Sequence, residues 1–285
     1  MLTVLDAVKL SEDYLHNKGI ESPRANAELL LASILNCKRL DLYLKFDRPL
    51  KESERLKYRE FISRRAKHEP LQYIVGNVEF YGIELKVTPS VLIPRPETEL
   101  LVETILEKYK DSIAISILDI GTGSGNISIA LAKNIPGAQV TSIDISNEAL
   151  DIAKENAMQN EVSKNIEFCQ LDILNGSMDS LNQKYDLIVS NPPYVNKEDY
   201  KNLESEINEF EPDLAVTDFD DGYKFYRRIC QVSKNLLNIN GKLFVEIAQG
   251  QASKVIEIFS KNDFVNIQII KDYAEIDRIV FGELK

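Results

Sequence analysis

The chain has 285 residues, 44% hydrophobic and 28% charged, the balance of a folded protein long enough for about two domains. Thirty-four Lys and Arg against forty-five Asp and Glu leave a net charge of −11, which excludes a protein that coats nucleic acid through a global positive field. No apolar run approaches the roughly 18 residues of a membrane span, and Met1–Leu15, with Asp6, Glu12 and Asp13, does not read as a signal peptide. Cys37, Cys169 and Cys230 lie far apart and read as reduced thiols, while His16 and His68 are too few for a zinc cluster or a Ser-His-Asp triad. The expectation is a metal-free cytoplasmic protein that is not a membrane protein.

In chain order, residues 1–70 read as helices. Val4, Leu5, Val8 and Leu15 recur near helical spacing, Pro23 opens a segment running to Leu35, and Leu40–Phe46 is a short third piece. Residues 51–68 place Tyr58, Phe61, Ile62 and Ala66 on one face of a fourth helix. Up to residue 75 there are fourteen basic and eleven acidic residues, so this end is slightly basic. Tyr73–Val75 and Val78–Val87, split by Gly76-Asn77 and Gly82, read as extended, giving a β-hairpin connector over 71–95. Pro96 is placed as the first residue of a helix running to Tyr109.

From residue 113 the rhythm is strand, turn, helix. Ile115–Ile120, Gln139–Asp144, Ile166–Leu171, Asp186–Ser190 and Leu243–Ile247 are strand-like; Ile127–Asn134, Asn147–Asn160 and Phe225–Leu237 are helical. The alternation implies a parallel sheet covered by helices on both faces. Phe264–Ile270 and Asp277–Phe281 are too close for a helical crossover, so the last pair is expected to be antiparallel. The fold class is α/β, a Rossmann-like seven-stranded sheet over 96–285 with the last strand antiparallel, plus a small N-terminal helical domain.

Two motifs carry chemistry. The first, Asp119-Ile120-Gly121-Thr122-Gly123-Ser124-Gly125-Asn126, follows a strand and precedes a helix, where α/β sheets bind nucleotide-like ligands. Its G-x-G-x-G spacing, with Asn126 where a dinucleotide loop wants glycine, and Asp119 beside it, suit a cationic amino-acid group better than a pyrophosphate. Asp144 ends the next strand and is placed to accept both hydroxyls of a ribose. Together these favour S-adenosylmethionine over NAD. Asp172 and Ile173, at the end of the third strand, are candidates for the adenine amino group and ring. The second motif, Asn191-Pro192-Pro193-Tyr194, follows the fourth strand. Its prolines stiffen the loop, so the Asn191 side-chain carbonyl and the Pro192 backbone carbonyl converge as two acceptors for a planar NH2 group, with the Tyr194 ring packed on its plane.

The chain resembles the peptide chain release factor glutamine N5-methyltransferases (the HemK type). Besides these two motifs, the resemblance is carried by Glu69–Gly76, Glu79–Gly82, Val91–Glu99 with its Pro-Arg-Pro-Glu-Thr-Glu run, Asp144–Ser146, Phe210–Pro212 and Gly241–Gln251. It implies methylation of the glutamine side-chain amide in the Gly-Gly-Gln motif of a translation release factor, the chain's protein partner. It further implies that Gly121–Gly125, Asp144 and Asn191 line the cofactor and that Asn191–Tyr194 hold the glutamine. The chain departs from the family's pattern at Ile173, where a larger aromatic is common, at Ala215–Asp221, where glycines are usual, and at Ala248. The helical domain is expected to dock the substrate protein.

Other readings remain open at this point. A methyltransferase acting on adenine N6 or guanine N2 shares the planar-amine logic, though the acidic balance after residue 75 argues against a nucleic-acid substrate. A non-catalytic S-adenosylmethionine-binding partner of translation is the third. Arg95–Glu99 reads equally as a helix start and as one side of the cofactor pocket. Residues 196–222 hold ten acidic residues against Lys197 and Lys201 and read either as an acidic flap over the site or as a solvated insertion.

Overall fold

Thr3 opens the first helix. Its hydroxyl accepts the Asp6 N–H while the Asp6 carboxylate accepts the Thr3 N–H, a capping box that starts α1 (Val4–His16). Pro23 at the first turn starts α2 (Pro23–Ile34), and α3 (Asp41–Leu44), α4 (Glu52–Arg65) and α5 (Leu71–Val75) follow. Leu15, Ala27, Leu30, Leu31, Phe61 and Ile62 are buried together at the centre of this bundle, and the buried Tyr58 hydroxyl donates to the Ala27 carbonyl at 3.0 Å. The computed structural model describes residues 2–181 and 183–285.

Tyr73–Val75, expected to be extended, is part of α5. The N–H groups of Tyr73 and Ile74 donate to the Pro70 carbonyl, and Gly76, at φ +90°, closes the turn from the left-handed region. Burial of Tyr73 and Ile74 outweighs the strand preference of the β-branched Ile74-Val75 pair. The hairpin therefore starts later, with β1 (Asn77–Phe80) and β2 (Ile83–Lys86). Its two-residue turn is Tyr81-Gly82, both at positive φ, which matches the twist of paired strands.

After α6 (Pro96–Lys108) come β3 (Ser116–Ile120), α7 (Asn126–Asn134), β4 (Gln139–Asp144), α8 (Asn147–Gln159), β5 (Ile166–Gln170) and β6 (Tyr185–Ser190). Three short helices, α9 (Lys197–Tyr200), α10 (Ser205–Phe210) and α11 (Asp213–Val216), lead to α12 (Lys224–Leu236), β7 (Leu237–Glu246), α13 (Ala252–Lys261), β8 (Phe264–Lys271) and β9 (Asp277–Leu284). The seven-stranded sheet has the order β5-β4-β3-β6-β7-β9-β8. β5 through β7 run parallel, and β9 inserts antiparallel between β7 and β8. Alternate residues serve opposite faces: Ile117, Leu187, Val189, Phe244 and Phe281 pack with α6 and α7, while Leu118, Ile188, Leu243, Val245 and Val280 pack with α12 and α13.

By contacts the chain forms two units. One holds the N-terminal segment through Asn77 together with Glu204–Phe210; the other holds Val78–Leu203 and Glu211–Lys285. Within the first, the guanidinium of Arg65, 5% exposed, donates to Asn26 Oδ1, the Glu69 carbonyl and the Glu206 carboxylate. The acidic stretch 196–222 is structured. It carries three helical turns, a β-bridge between Val195 and Thr217, and a buried Asp218 that accepts the N–H groups of Asp220 and Lys224. No helix among the described residues is long and apolar enough to cross a membrane.

Candidate active site

The strand order reverses between β3 and β6, and the crevice beyond their C-terminal ends is where such sheets bind ligands. Both motifs sit there, one following β3 and the other following β6. A cavity of about 480 Å³ opens at this edge, within the range of about 300–1,000 Å³ usual for small-molecule sites. Gly121, Gly123, Asp144, Asp172, Ile173, Asn191 and Pro193 line it, together with Val91 and Leu92 from the segment before α6 and Leu214, Phe219 and Phe225 from the opposite side.

The glycine loop is built from its backbone. Gly123 lies at φ +53°, which turns its N–H toward the Asp144 carboxylate at 2.9 Å. Gly125, at φ +81°, caps α7 with no room beyond its hydrogen: a Cβ there would sit 3.1 Å from Ile129 Cδ1 and 3.2 Å from Ala153 Cβ. The buried side chain of Asn156 on α8 fixes the loop from behind, donating to the carbonyls of Ser124 and Lys86 and accepting the Lys86 N–H at 2.7 Å. Asp144 also accepts the Ser146 N–H at 3.0 Å; burial raises its pKa against the pull of these backbone donors.

Asp119 does not stand on the cavity wall. It is 0% exposed beneath the loop, where Oδ2 accepts the hydroxyls of Thr122 and Ser128 at 2.7 and 2.6 Å. Burial, reinforced by Asp144, pushes its carboxyl up to about 6 despite those hydrogen bonds, and Oδ1 is without a partner. Thr122 and Ser124 are buried too, so both, with Gly125, shape the loop rather than line the cavity. Spacing marks these positions alike; the packing under the loop separates them, with Thr122 and Ser128 closing on Asp119 and with Gly125 against Ile129 and Ala153.

Asp172 and Ile173 reach the cavity as expected. Burial raises the Asp172 pKa, but donors from Asn175 and the Leu174 N–H outweigh it and hold the carboxyl low. In the second motif Asn191 and Pro193 line the cavity, whereas Pro192 is buried. Asn191 Nδ2 donates to Thr98 Oγ1 at 3.1 Å, which leaves Oδ1 as the free end of the amide. Among the described residues nothing hydrogen-bonds the Pro192 carbonyl. Tyr194 does not present its ring to the cavity; it packs against the core on the α12 face, its hydroxyl 3.5 Å from Glu246 Oε1 and its carbonyl accepting from Gln251 Nε2 at 3.0 Å.

Arg95 bears out the helix-start reading, and none of Arg95–Glu99 is among the residues that line the cavity. It is the N-cap residue of α6, and its guanidinium donates to the buried Glu211 carboxylate at 2.5 Å, tying the segment before α6 to the one bearing Pro212 and Leu214 on the far wall. Sequence reasoning missed Asn156, which belongs to no ligand motif, and held Thr98 and Glu246 only as members of the runs Arg95–Glu99 and Gly241–Gln251.

The family model for the PrmC N-terminal domain matches residues 6–76, and one for a methyltransferase domain matches residues 111–272. A release factor glutamine methyltransferase of Geobacter sulfurreducens is 40% identical over 99% of this chain and 97% of its own length. Its counterpart in Fusobacterium nucleatum is 39% identical over 98% of this chain and 78% of its own. The chain belongs to the release factor glutamine methyltransferase family.

Likeness of fold alone does not make that distinction. The 16S rRNA guanine-N2 methyltransferase of T. thermophilus, solved with AdoMet and guanosine, superposes with a TM-score of 0.53 over 73% of this chain and 50% of its own, at 18% identity. This chain and a nucleobase methyltransferase thus share a fold. What places this chain with the former is agreement across nearly its whole length, the helical N-terminal region included.

Proposed function

We propose that this chain transfers a methyl group from S-adenosylmethionine to the side-chain amide nitrogen of the glutamine in the Gly-Gly-Gln motif of a translation release factor. The observation that carries the reading is the Asn191–Tyr194 loop after β6, where Asn191 lines the glycine-loop cavity and its Nδ2, engaged by Thr98, leaves Oδ1 as an acceptor; the Pro192 carbonyl beside it has no hydrogen-bond partner among the described residues.

The donor set fits the cofactor. The cavity lining holds backbone at Gly121 and Gly123, the carboxylate of Asp144, and the apolar Ile173 and Phe225 together with Asp172. Those suit, in turn, an amino-acid tail, a ribose diol and an adenine. When bound, S-adenosylmethionine supplies an electrophilic sulfonium methyl. The adenine end has Ile173 in place of an aromatic, and Phe225 adds the ring surface that the strand end lacks. Asp119 acts beneath the loop, holding it through Thr122 and Ser128, rather than on the ligand.

An amide nitrogen is a poor nucleophile because its lone pair is conjugated with the carbonyl. Two acceptors that take both N–H hydrogens fix the plane of the amide and favour the charge that develops as the nitrogen gives up its lone pair. The reading needs no general base: the proton leaves to water after transfer. Within this reading the N-terminal helical segment, slightly basic up to residue 75 where the remainder of the chain is acidic, docks the release factor.

The test is incubation with labelled S-adenosylmethionine and a release factor, RNA or DNA in parallel, followed by mass mapping of the product. Label on the Gly-Gly-Gln glutamine alone is the expected result. Label on adenine or guanine instead would assign the nucleobase reading.

A further inference from the structure

Glu246 ends β7, next to the strand that bears the Asn191 loop, and is 3% exposed. Among the described residues it forms no ion pair, and Oε2 has no hydrogen-bond partner. A carboxylate kept there without a compensating cation is costly, so its retention in a packed sheet needs a reason. Its surroundings supply one. Oε1 lies 3.5 Å from the Tyr194 hydroxyl, and the Thr98 hydroxyl, 1% exposed, is the strongest influence favouring its charged form. Thr98 in turn accepts the Asn191 amide N–H at 3.1 Å.

The direction of this chain is decided at its buried end. A hydroxyl has one proton, and an ionised carboxylate only accepts. When Thr98 gives its proton to Glu246, it has only lone pairs for Asn191, so Asn191 must turn Nδ2 toward it and leave Oδ1 free. We propose that Glu246 is a positioning residue for methyl transfer: through Thr98 its carboxylate sets which end of the Asn191 amide faces the substrate. The inference rests on the reading that Asn191 accepts a hydrogen from the substrate amide. With the Asn191 amide reversed, NH2 would meet NH2, and the site would repel the group it is built to hold.

The charged and titratable groups around Glu246 come from every packed element. Glu97 on α6 opposes its ionisation, Arg278 on β9 favours it, Tyr194 donates to it, and the Tyr226 hydroxyl on α12 donates to its backbone carbonyl at 2.9 Å. Burial is the dominant influence and pushes the carboxyl up to about 7. Protonated Glu246 can itself donate to Thr98 and free the Thr98 proton for Asn191 Oδ1, so acid should weaken the orientation.

The experiment uses the full chain, a release factor as methyl acceptor, and kcat/KM measured from about pH 6 to about pH 9. Wild type should lose activity on the acid side with an apparent pKa near 7. Glu246→Gln should lower kcat/KM about tenfold or more at the alkaline end and abolish that acid limb, while calorimetric affinity for S-adenosylmethionine changes less than about threefold. Thr98→Val should reproduce the loss, and Thr98→Ser, which keeps the hydroxyl, should recover most of it. Wild-type kcat/KM and an unchanged acid limb in E246Q overturn the inference. So does a T98S variant as impaired as T98V, or cofactor affinity falling in step with activity, since either marks a merely structural role. If the wild type leaves the release factor unmethylated at every pH, the substrate reading fails first and the inference falls with it.

Discussion

Asn191 shows how one side chain can be legible in sequence while its orientation is not. The Asn-Pro-Pro-Tyr motif announces two acceptors on a stiff loop, but which end of the amide faces outward depends on Thr98, 93 positions earlier in the chain. Asn191→Ala should lower methyl transfer by at least about 10²-fold while cofactor affinity stays within about tenfold, or ~1.4 kcal/mol, as read by steady-state kinetics beside calorimetry. Glu246 gives a prediction of the opposite kind, on stability. Its folded pKa is raised from 4.5 to about 7, so the folded chain keeps a proton that the unfolded chain releases. The wild type should therefore lose stability relative to Glu246→Gln as pH rises from about 4.5 to about 7, by roughly 3 kcal/mol in full. Urea denaturation of both proteins at the two ends of that window measures the difference.

At the scale of elements, the glycine loop divides into positions that answer to the ligand and positions that answer to packing. Gly123 has open space around its Cα, so Gly123→Ala should cost only about 1 kcal/mol of left-handed strain while disturbing the cavity wall. Gly125→Val adds contacts near 3.1 and 3.2 Å to Ile129 and Ala153 and should cost about 2–4 kcal/mol, visible as a lower urea midpoint. Sequence spacing marks both glycines alike. Only the approach of α8, brought in by Ala153 and by the hydrogen bonds of Asn156, separates them. The misread segment Tyr73–Val75 teaches the same lesson: local preference favours a strand, and burial against the helical core makes it a turn of helix.

At the scale of the molecule, the acidic balance is not spread evenly. Ten of the acidic residues fall in 196–222, yet part of that stretch, Glu204–Phe210, groups with the N-terminal helices, where Glu206 meets the buried Arg65. A protein starting at residue 78 lacks Arg65 and its neighbours. It should keep S-adenosylmethionine affinity, lose efficiency toward intact release factor, and become newly sensitive to trypsin at Lys201, read by limited proteolysis with mass mapping.

The sequence by itself determined the helical N-terminal region, the alternating strands and helices, and both motifs at strand ends. All of these are local: helical and strand periodicity, glycine and proline turn chemistry, and residue type at fixed offsets fall within a few neighbours of each other. It also indicated that the last strand runs antiparallel, because the connection before it is short. Tertiary structure alone decided that β9 slides between β7 and β8, that Asp119 and Tyr194 turn inward while Asn191 turns out, and that Arg95 reaches Glu211 and Glu246 sits behind Thr98. Several of these depend on partners far apart in the chain, 116 positions between Arg95 and Glu211 and 93 between Thr98 and Asn191, brought together by burial, and side-chain direction at such a distance has no signature in local spacing.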